Sequence, residues 1–446
     1  MVSKKRKNFS YPRVLMLGFG IIILLGTLLL CLPIASRDGT WSNPINCLLT
    51  ATSATCVTGL IAYDTFSHWT IFGQLVILTL IQIGGLGFMT FISLFAMFLK
   101  KKISLRDRLL LMQSSGSMEL KGVGGLIRRI ILGTLLFEGI GAVLLSVRFV
   151  GQFGFWEGIY NGIFHSVSAF CNAGFDLMGK YAPFSSLSPY QNDPYVLLTI
   201  MALIIIGGLG FIVWSDIKKH RLRFAKYSLH SKIVLIATTV LLVLGTVFFY
   251  FSESKALADM GVGTRLLNAA FQSVTLRTAG FNTIDQSALS SGGSILSMIL
   301  MLIGGSPAST AGGVKTVTVA VVFLTALAVI RNRREVVVGK RQLSALNIRQ
   351  AFSVLMIYIS VTLGAAILLS FTETASLRAI FFEVCSAVGT VGITMGITTS
   401  LTTLGRLVIT LLMFFGRIGG LSLAMAFSEN RAEPPLGRPE ENILIG

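Results

Sequence analysis

Eight long apolar stretches constrain this chain more than any other feature. They lie at about 13–33, 70–99, 122–150, 194–217, 230–252, 292–330, 346–371 and 402–427. About 20 apolar residues in a helix span the hydrocarbon core of a bilayer. With 53% hydrophobic and only 13% charged residues over 446 positions, the chain is too apolar for a soluble globular fold. A single transmembrane domain over residues 1–446 is expected, ending in a tail at 429–446. The apolar run Val14–Leu32 follows Lys4, Lys5, Arg6 and Lys7. It is long for a signal peptide and no Ala-x-Ala site follows it, so it reads as a retained first span.

Charge sets the expected topology. The net charge of +18 would suggest nucleic acid in a soluble protein. Here the basic residues fall in alternate loops: Lys100, Lys101, Lys102, Arg106 and Arg108; Lys218, Lys219, Arg221, Arg223 and Lys226; Arg331, Arg333, Arg334, Lys340 and Arg341. The intervening loops are mostly acidic, with Asp38, Asp64, Glu157, Asp193, Glu253, Asp259, Asp285 and Glu373. Lys and Arg mark cytoplasmic loops. The expectation is a multi-pass protein of the cell membrane with both termini cytoplasmic and no nucleic-acid partner. Five scattered cysteines form no CxxC pair and give neither a metal site nor a disulfide framework.

Four moderately apolar segments, 44–55, 158–170, 264–276 and 376–388, are too short to cross. They suit re-entrant half-helices. Asn43-Pro44 reads as an N-cap followed by proline at the first helical position; Thr264 and Thr374 are candidate caps for the third and fourth. Each segment runs into a small-residue turn: Val57-Thr58-Gly59, Asn172-Ala173-Gly174, Thr278-Ala279-Gly280 and Thr390-Val391-Gly392. The glycines are 115, 106 and 112 residues apart, an internal repeat. The expected repeats cover about 11–100, 121–218, 229–331 and 345–428. The expected fold is therefore all-α and integral to the membrane. It has four repeats of span, pore loop and span, making eight spans plus four re-entrant half-helices around one pseudo-fourfold pore.

A pore has a physical use for such turns. A dehydrated monovalent cation needs oxygens in place of its water, and four strands can supply rings of backbone carbonyls. Glycine permits the positive φ that turns successive carbonyls inward. The half-helices end just before the turns, so their negative dipole ends favour a cation.

The spans after the turns carry glycine clusters. Gly84-Gly85-Leu86-Gly87 and Gly207-Gly208-Leu209-Gly210 allow close helix packing or a break in the helix, and packing is the favoured reading. The cluster from Gly304 to Lys315 differs. Gly304, Gly305, Ser306, Pro307, Ser309, Thr310, Gly312 and Gly313 should break their span near mid-membrane, and a polar break below a filter reads as a gate. Ionisable residues inside spans are costly and usually functional. Arg417 lies in the last cluster at the depth of these breaks, where its charge sets a barrier to cations. Lys315 closes the broken segment. Glu138 lies mid-span; Glu383 and Arg277 are read as pairing with each other or the backbone, or as contacting the ion.

These residues resemble the Ktr/Trk/HKT superfamily of K+ transporters, and in particular the membrane subunits of bacterial Ktr systems. The marks are Thr-Gly-Leu at 58–60, Gln-Ile-Gly-Gly-Leu-Gly-Phe-Met-Thr at 82–90, Asn-Ala-Gly-Phe at 172–175, Arg-Thr-Ala-Gly-Phe-Asn at 277–282, Ser-Thr-Ala-Gly-Gly-Val-Lys at 309–315 and Gly-Arg-Ile-Gly at 416–419. The resemblance implies K+ as substrate and the four glycines as filter. It implies residues 304–315 as an intramembrane gating loop contacted by Arg417. It further implies a homodimer in membrane lipid, an octameric cytosolic ring of RCK-type nucleotide-binding subunits holding ATP or ADP, and Na+ as an activator. The chain itself needs no cofactor. The alternative is a channel or secondary transporter for another monovalent cation, such as Na+ or ammonium. An intramembrane enzyme would need paired Asp, a His-Glu-x-x-His motif or a nucleophile with its base; none occurs.

Overall fold

The computed structural model describes residues 11–87 and 123–420, apart from 222, 254–256, 258, 259, 334 and 340. The basic loop at 100–108 and the tail at 429–446 lie outside the described residues. The chain is predominantly helical. Among the described residues the one sheet is a hairpin of two-residue strands, β1 (Val337–Val338) and β2 (Arg341–Gln342).

Four helices are long and apolar enough to cross a membrane: α1 (Tyr11–Cys31), α4 (Val123–Phe153), α8 (Leu229–Ser252) and α12 (Ala345–Thr372). Each is followed by a short helix: α2 (Pro44–Thr55), α5 (Phe155–Phe170), α9 (Val262–Thr275) and α13 (Leu377–Gly389). The expected half-helix bounds match within a few residues. Asn43 Oδ1 accepts from Ile45 N at 2.9 Å with Pro44 behind it. The third and fourth caps are Gly261 and Ser376 rather than Thr264 and Thr374. These helices start earlier or later because glycine and serine offer the extended backbone a cap requires.

The remaining α-helices among the described residues are shorter than these four or come in pairs. They are α3 (Ile71–Leu86), the pair α6 (Pro194–Leu209) and α7 (Phe211–His220), the pair α10 (Ser291–Leu302) and α11 (Thr316–Ile330), and α14 (Thr403–Ile418). Gly87, Gly210 and Gly419 take φ of +81°, +91° and +90° at the helix ends, and α6 and α7 diverge by 94°. Of the two readings of the first two clusters, packing and a break, the second cluster shows both. Gly84 and Gly207 do pack, since an added Cβ would lie 2.0 Å from Thr55 O and from Phe170 O. The last glycine of each cluster ends its helix, because only glycine enters the left-handed region without cost.

The exterior is apolar as well as the core, and polar residues are buried beside that core. Large apolar side chains such as Leu24, Val147, Phe251 and Phe371 stand on the outside, whereas Thr50, Ser53, His165, Gln272 and Glu383 are buried. An apolar exterior of this kind suits a lipid solvent. The N-terminal ends of α10 and α14 are tied by acids. Glu253 accepts from Ser290 N (2.9 Å) and Oγ (2.6 Å), and Glu373 accepts from Thr402 N (3.0 Å). Ser290 and Thr402 are the N-caps of α10 and α14.

Candidate ion-conduction site

The four glycine turns meet. A Cβ on Gly59 would lie 2.8 Å from Ala173 O; on Gly174, 2.8 Å from Ala279 O; on Gly280, 2.5 Å from Val391 O; on Gly392, 2.0 Å from Thr58 O. The contacts close a ring in chain order. All four glycines have positive φ, between +69° and +100°. Two residues before each glycine, Val57, Asn172, Thr278 and Thr390 also take positive φ, between 50° and 72°. Three of these are β-branched, for which the left-handed region is a true outlier. Such strain costs about 1–3 kcal/mol per residue and persists only where the surroundings enforce it.

The surroundings do enforce it. Thr58 N donates to Ser53 O, Ala173 N to Ser168 O and Val391 N to Ser386 O, each at 2.8 Å. Ser53 Oγ accepts from Gly59 N (2.9 Å) and Ser386 Oγ from Gly392 N (3.0 Å). The Asn172 amide lies 3.1 Å from Thr278 Oγ1. These bonds occupy backbone N–H groups in three of the four turns. Thr58 and Thr390 are buried with hydroxyls lacking a hydrogen-bond partner. Helices α2, α5, α9 and α13 end three to five residues before their glycines, aiming four negative dipole ends at the ring.

The broken segment between α10 and α11 lies against this ring. A Cβ on Gly312 would lie 2.1 Å from Thr390 Oγ1, and one on Gly313, 3.1 Å from Gly389 O. A bridge between Ile303 and Val314 brings the two ends of the segment together. Ser306 N and Thr310 N donate to Gly208 O (3.0 Å) and Gly207 O (3.3 Å). Thr310 Oγ1 donates to Phe170 O at 3.2 Å. Within the segment, Ser309 Oγ donates to Ser306 O (2.7 Å), and Ser306 Oγ lies 3.3 Å from Thr316 Oγ1. Lys315 Nζ folds back onto Ala311 O at 2.7 Å. Arg417 donates to Thr310 O with one arm and to Gly84 O with the other. A single guanidinium thus joins the segment to the C-terminal end of α3.

Glu383 and Arg277 are not paired with each other. Glu383 accepts from Thr394 Oγ1 (2.6 Å) and Thr398 Oγ1 (2.5 Å), whereas Arg277 Nη2 donates to Gly304 O (3.3 Å). Mid-span Glu138 accepts from Gln82 Nε2 at 3.2 Å. The hydroxyls of Ser53 and Ser386 are site residues that the sequence reading missed. Each sits six residues before its glycine, a spacing that would have found them. Another unread signal is the hydroxyl N-cap with glycine three residues on, Thr70–Gly73, Ser290–Gly293 and Thr402–Gly405.

An apolar exterior, buried polar side chains and a close ring of strained backbone suit a multi-pass membrane protein. The chain belongs to the TrkH family of cation transport proteins, which matches residues 20–433. It is 43% identical to the potassium/sodium uptake protein NtpJ of Enterococcus hirae, over 100% of this chain and 99% of that one. It is 41% identical to the Ktr system potassium uptake protein B of Bacillus subtilis, over 98% and 97%. The fold is similar to the potassium transporter TrkH of Vibrio parahaemolyticus, with a TM-score of 0.75 at 16% identity over 96% of this chain and 86% of that one.

Proposed function

We propose that this protein carries K+ into the cell through a pore on the axis of the four glycine turns. The carrying observation is the ring itself. Four turns, each with two positive-φ residues of which one is the glycine, place their backbones within contact of one another. Strain of this kind is kept for a purpose, and a cage of carbonyls for a dehydrated cation is one that fits. Val57–Gly59, Asn172–Gly174, Thr278–Gly280 and Thr390–Gly392 form the selectivity filter. The potassium uptake named for two relatives supports K+ as substrate; the sodium uptake in one of those names fits Na+ as a second transported cation, and Na+ as an activator rests on the family resemblance.

In this reading four repeats, each of two spans and a re-entrant half-helix, surround the pore, with both termini cytoplasmic. Gly304, Gly305, Ser306, Ser309, Thr310, Gly312, Gly313 and Lys315 belong to a gating loop latched by Arg417. The protein works as a homodimer on a cytosolic octameric RCK-type ring, whose ATP or ADP state moves the loop. The test is Rb+ uptake in cells lacking their own K+ uptake systems, with Na+ and ammonium as competitors. Saturable Rb+ uptake inhibited by K+ is expected. Growth rescue and uptake by ammonium or Na+ alone, with Rb+ excluded, would replace K+ by the other cation.

A further inference from the structure

A groove of about 740 Å³ lies between α4 and the bent pair α6–α7. It exists because Gly210 turns the chain by 94° between those two helices. Its apolar wall includes Leu136, Phe137, Leu209, Phe211 and Trp214; Arg129, Lys218 and Lys219 also line it. The indole of Trp214 is fixed by donating from Nε1 to Ile206 O at 3.0 Å. It packs on α4 where a Cβ on Gly133 would meet it at 3.0 Å.

The three cations are exposed, and none has a carboxylate partner among the described residues. Asp216, the acid nearest to them in sequence, is already engaged. Its Oδ2 accepts from Ser228 N (3.1 Å), Ser228 Oγ (2.6 Å) and Ser231 Oγ (2.6 Å). An apolar trough lined in part by three unneutralised cations has the complementarity of one ligand class, an acyl chain ending in an anion. Lys and Arg at the cytoplasmic face attract anionic headgroups, and tryptophan favours the same interfacial depth.

The groove also touches the proposed gate. Phe211 N donates to Ala308 O at 2.9 Å, and a Cβ on Gly210 would lie 2.6 Å from Pro307 O. Whatever fills the groove presses on the residue bonded to that loop.

We propose that this groove binds an anionic phospholipid of the cytoplasmic leaflet. One acyl chain lies on Leu136, Phe137 and Trp214, its phosphate meets Arg129, Lys218 and Lys219, and occupancy is felt by loop 304–315 through Phe211. The choice of leaflet rests on the topology proposed above. The primary readout is fluorescence, so it stands or falls apart from K+ conduction.

The full-length protein is reconstituted in phosphatidylcholine vesicles containing brominated phosphatidylglycerol or brominated phosphatidylcholine. Trp214 emission is taken as the difference between the natural protein and Trp214→Phe. Brominated phosphatidylglycerol should quench it at a mole fraction at least several-fold lower than brominated phosphatidylcholine. The triple variant Arg129→Gln, Lys218→Gln, Lys219→Gln should quench equally with both lipids while keeping its helical circular dichroism. Equal quenching by both lipids in the natural protein would reduce the groove to ordinary lipid contact and overturn the site. Absence of quenching would mean that residues 88–122 or a second copy fill it, and would overturn it too. In the same vesicles, Rb+ flux should change over the phosphatidylglycerol range that quenches Trp214. Flux unmoved across that range would remove the coupling to the loop.

Discussion

The guanidinium of Arg417 donates to the carbonyl of Thr310 while its other arm donates to the carbonyl of Gly84. One charge therefore ties the proposed gating loop to the C-terminal end of α3. A hydrogen bond from a charged donor contributes about 1.5–3 kcal/mol, and each 1.4 kcal/mol is tenfold in an equilibrium. Arg417→Ala should raise basal Rb+ flux into liposomes about tenfold or more, and Arg417→Lys by less. Deleting Ser306–Ala311 should raise flux and remove its response to ATP or ADP on the ring subunit. A loop-deleted protein that stays slow and nucleotide-dependent would show that the gate is elsewhere.

The filter assignment can be separated from a general cost of substituting glycine. Gly392 and Gly39 both have positive φ, +94° and +64°. A Cβ on Gly392 would lie 2.0 Å from Thr58 O, while one on Gly39 meets nothing within 4 Å. Both alanine variants pay the left-handed penalty of about 1 kcal/mol, but only one pushes on the ring. Gly392→Ala should collapse the K+/Na+ uptake ratio, and Gly39→Ala should leave it intact. Equal ratios in the two variants would count against the ring as the selective element.

Much of this site was legible because glycine and proline leave marks. Asn43-Pro44 announced α2, Pro307 announced the break before α11, and the four evenly spaced glycines announced the turns. The strained partners were not legible. Val57, Thr278 and Thr390 are β-branched and favour extended backbone, so nothing local in them predicts φ near +50° to +72°. At Gly210, apolar neighbours and the absence of proline left packing and a break both open, and the 94° bend shows a break there. The separate partners of Arg277 and Glu383 are set by tertiary packing, which residue spacing does not encode.

The loop after the second glycine turn carries a pH signature. Asp176 follows the second turn by two residues. Burial pushes its carboxyl up to about 7, against the lowering effect of hydrogen bonds from Met178 N and the Ser186 hydroxyl, and nearby Asp64 raises it further. A carboxyl whose folded pKa exceeds its unfolded value near 4 binds its proton more tightly when folded. Stability from this group is thus fully present below about pH 4 and lost as pH rises toward 7. The natural protein should lose thermal stability over that window, and Asp176→Asn should flatten the loss. Parallel pH profiles for the two proteins in a detergent unfolding assay would refute it.

Glu383 joins the last short helix to the loop beyond the last glycine. Its two oxygens accept from Thr394 Oγ1 and Thr398 Oγ1 at 2.6 and 2.5 Å. It sits three residues before Ser386, whose hydroxyl accepts from Gly392 N. The carboxylate and the serine therefore hold the same turn from two sides. A buried acceptor stripped of its donors costs about 1–3 kcal/mol, and groups in one network do not add independently. Glu383→Gln, Thr398→Val and the double variant should each lower thermal stability and the K+/Na+ ratio. The double variant should lose clearly less than the sum of the two singles, because either change alone already leaves the other partner unmet. Additive losses in both measurements would show that Glu383 and Thr398 do not act together on the turn. Losses in stability with the ratio unchanged would make the pair a brace for that loop alone.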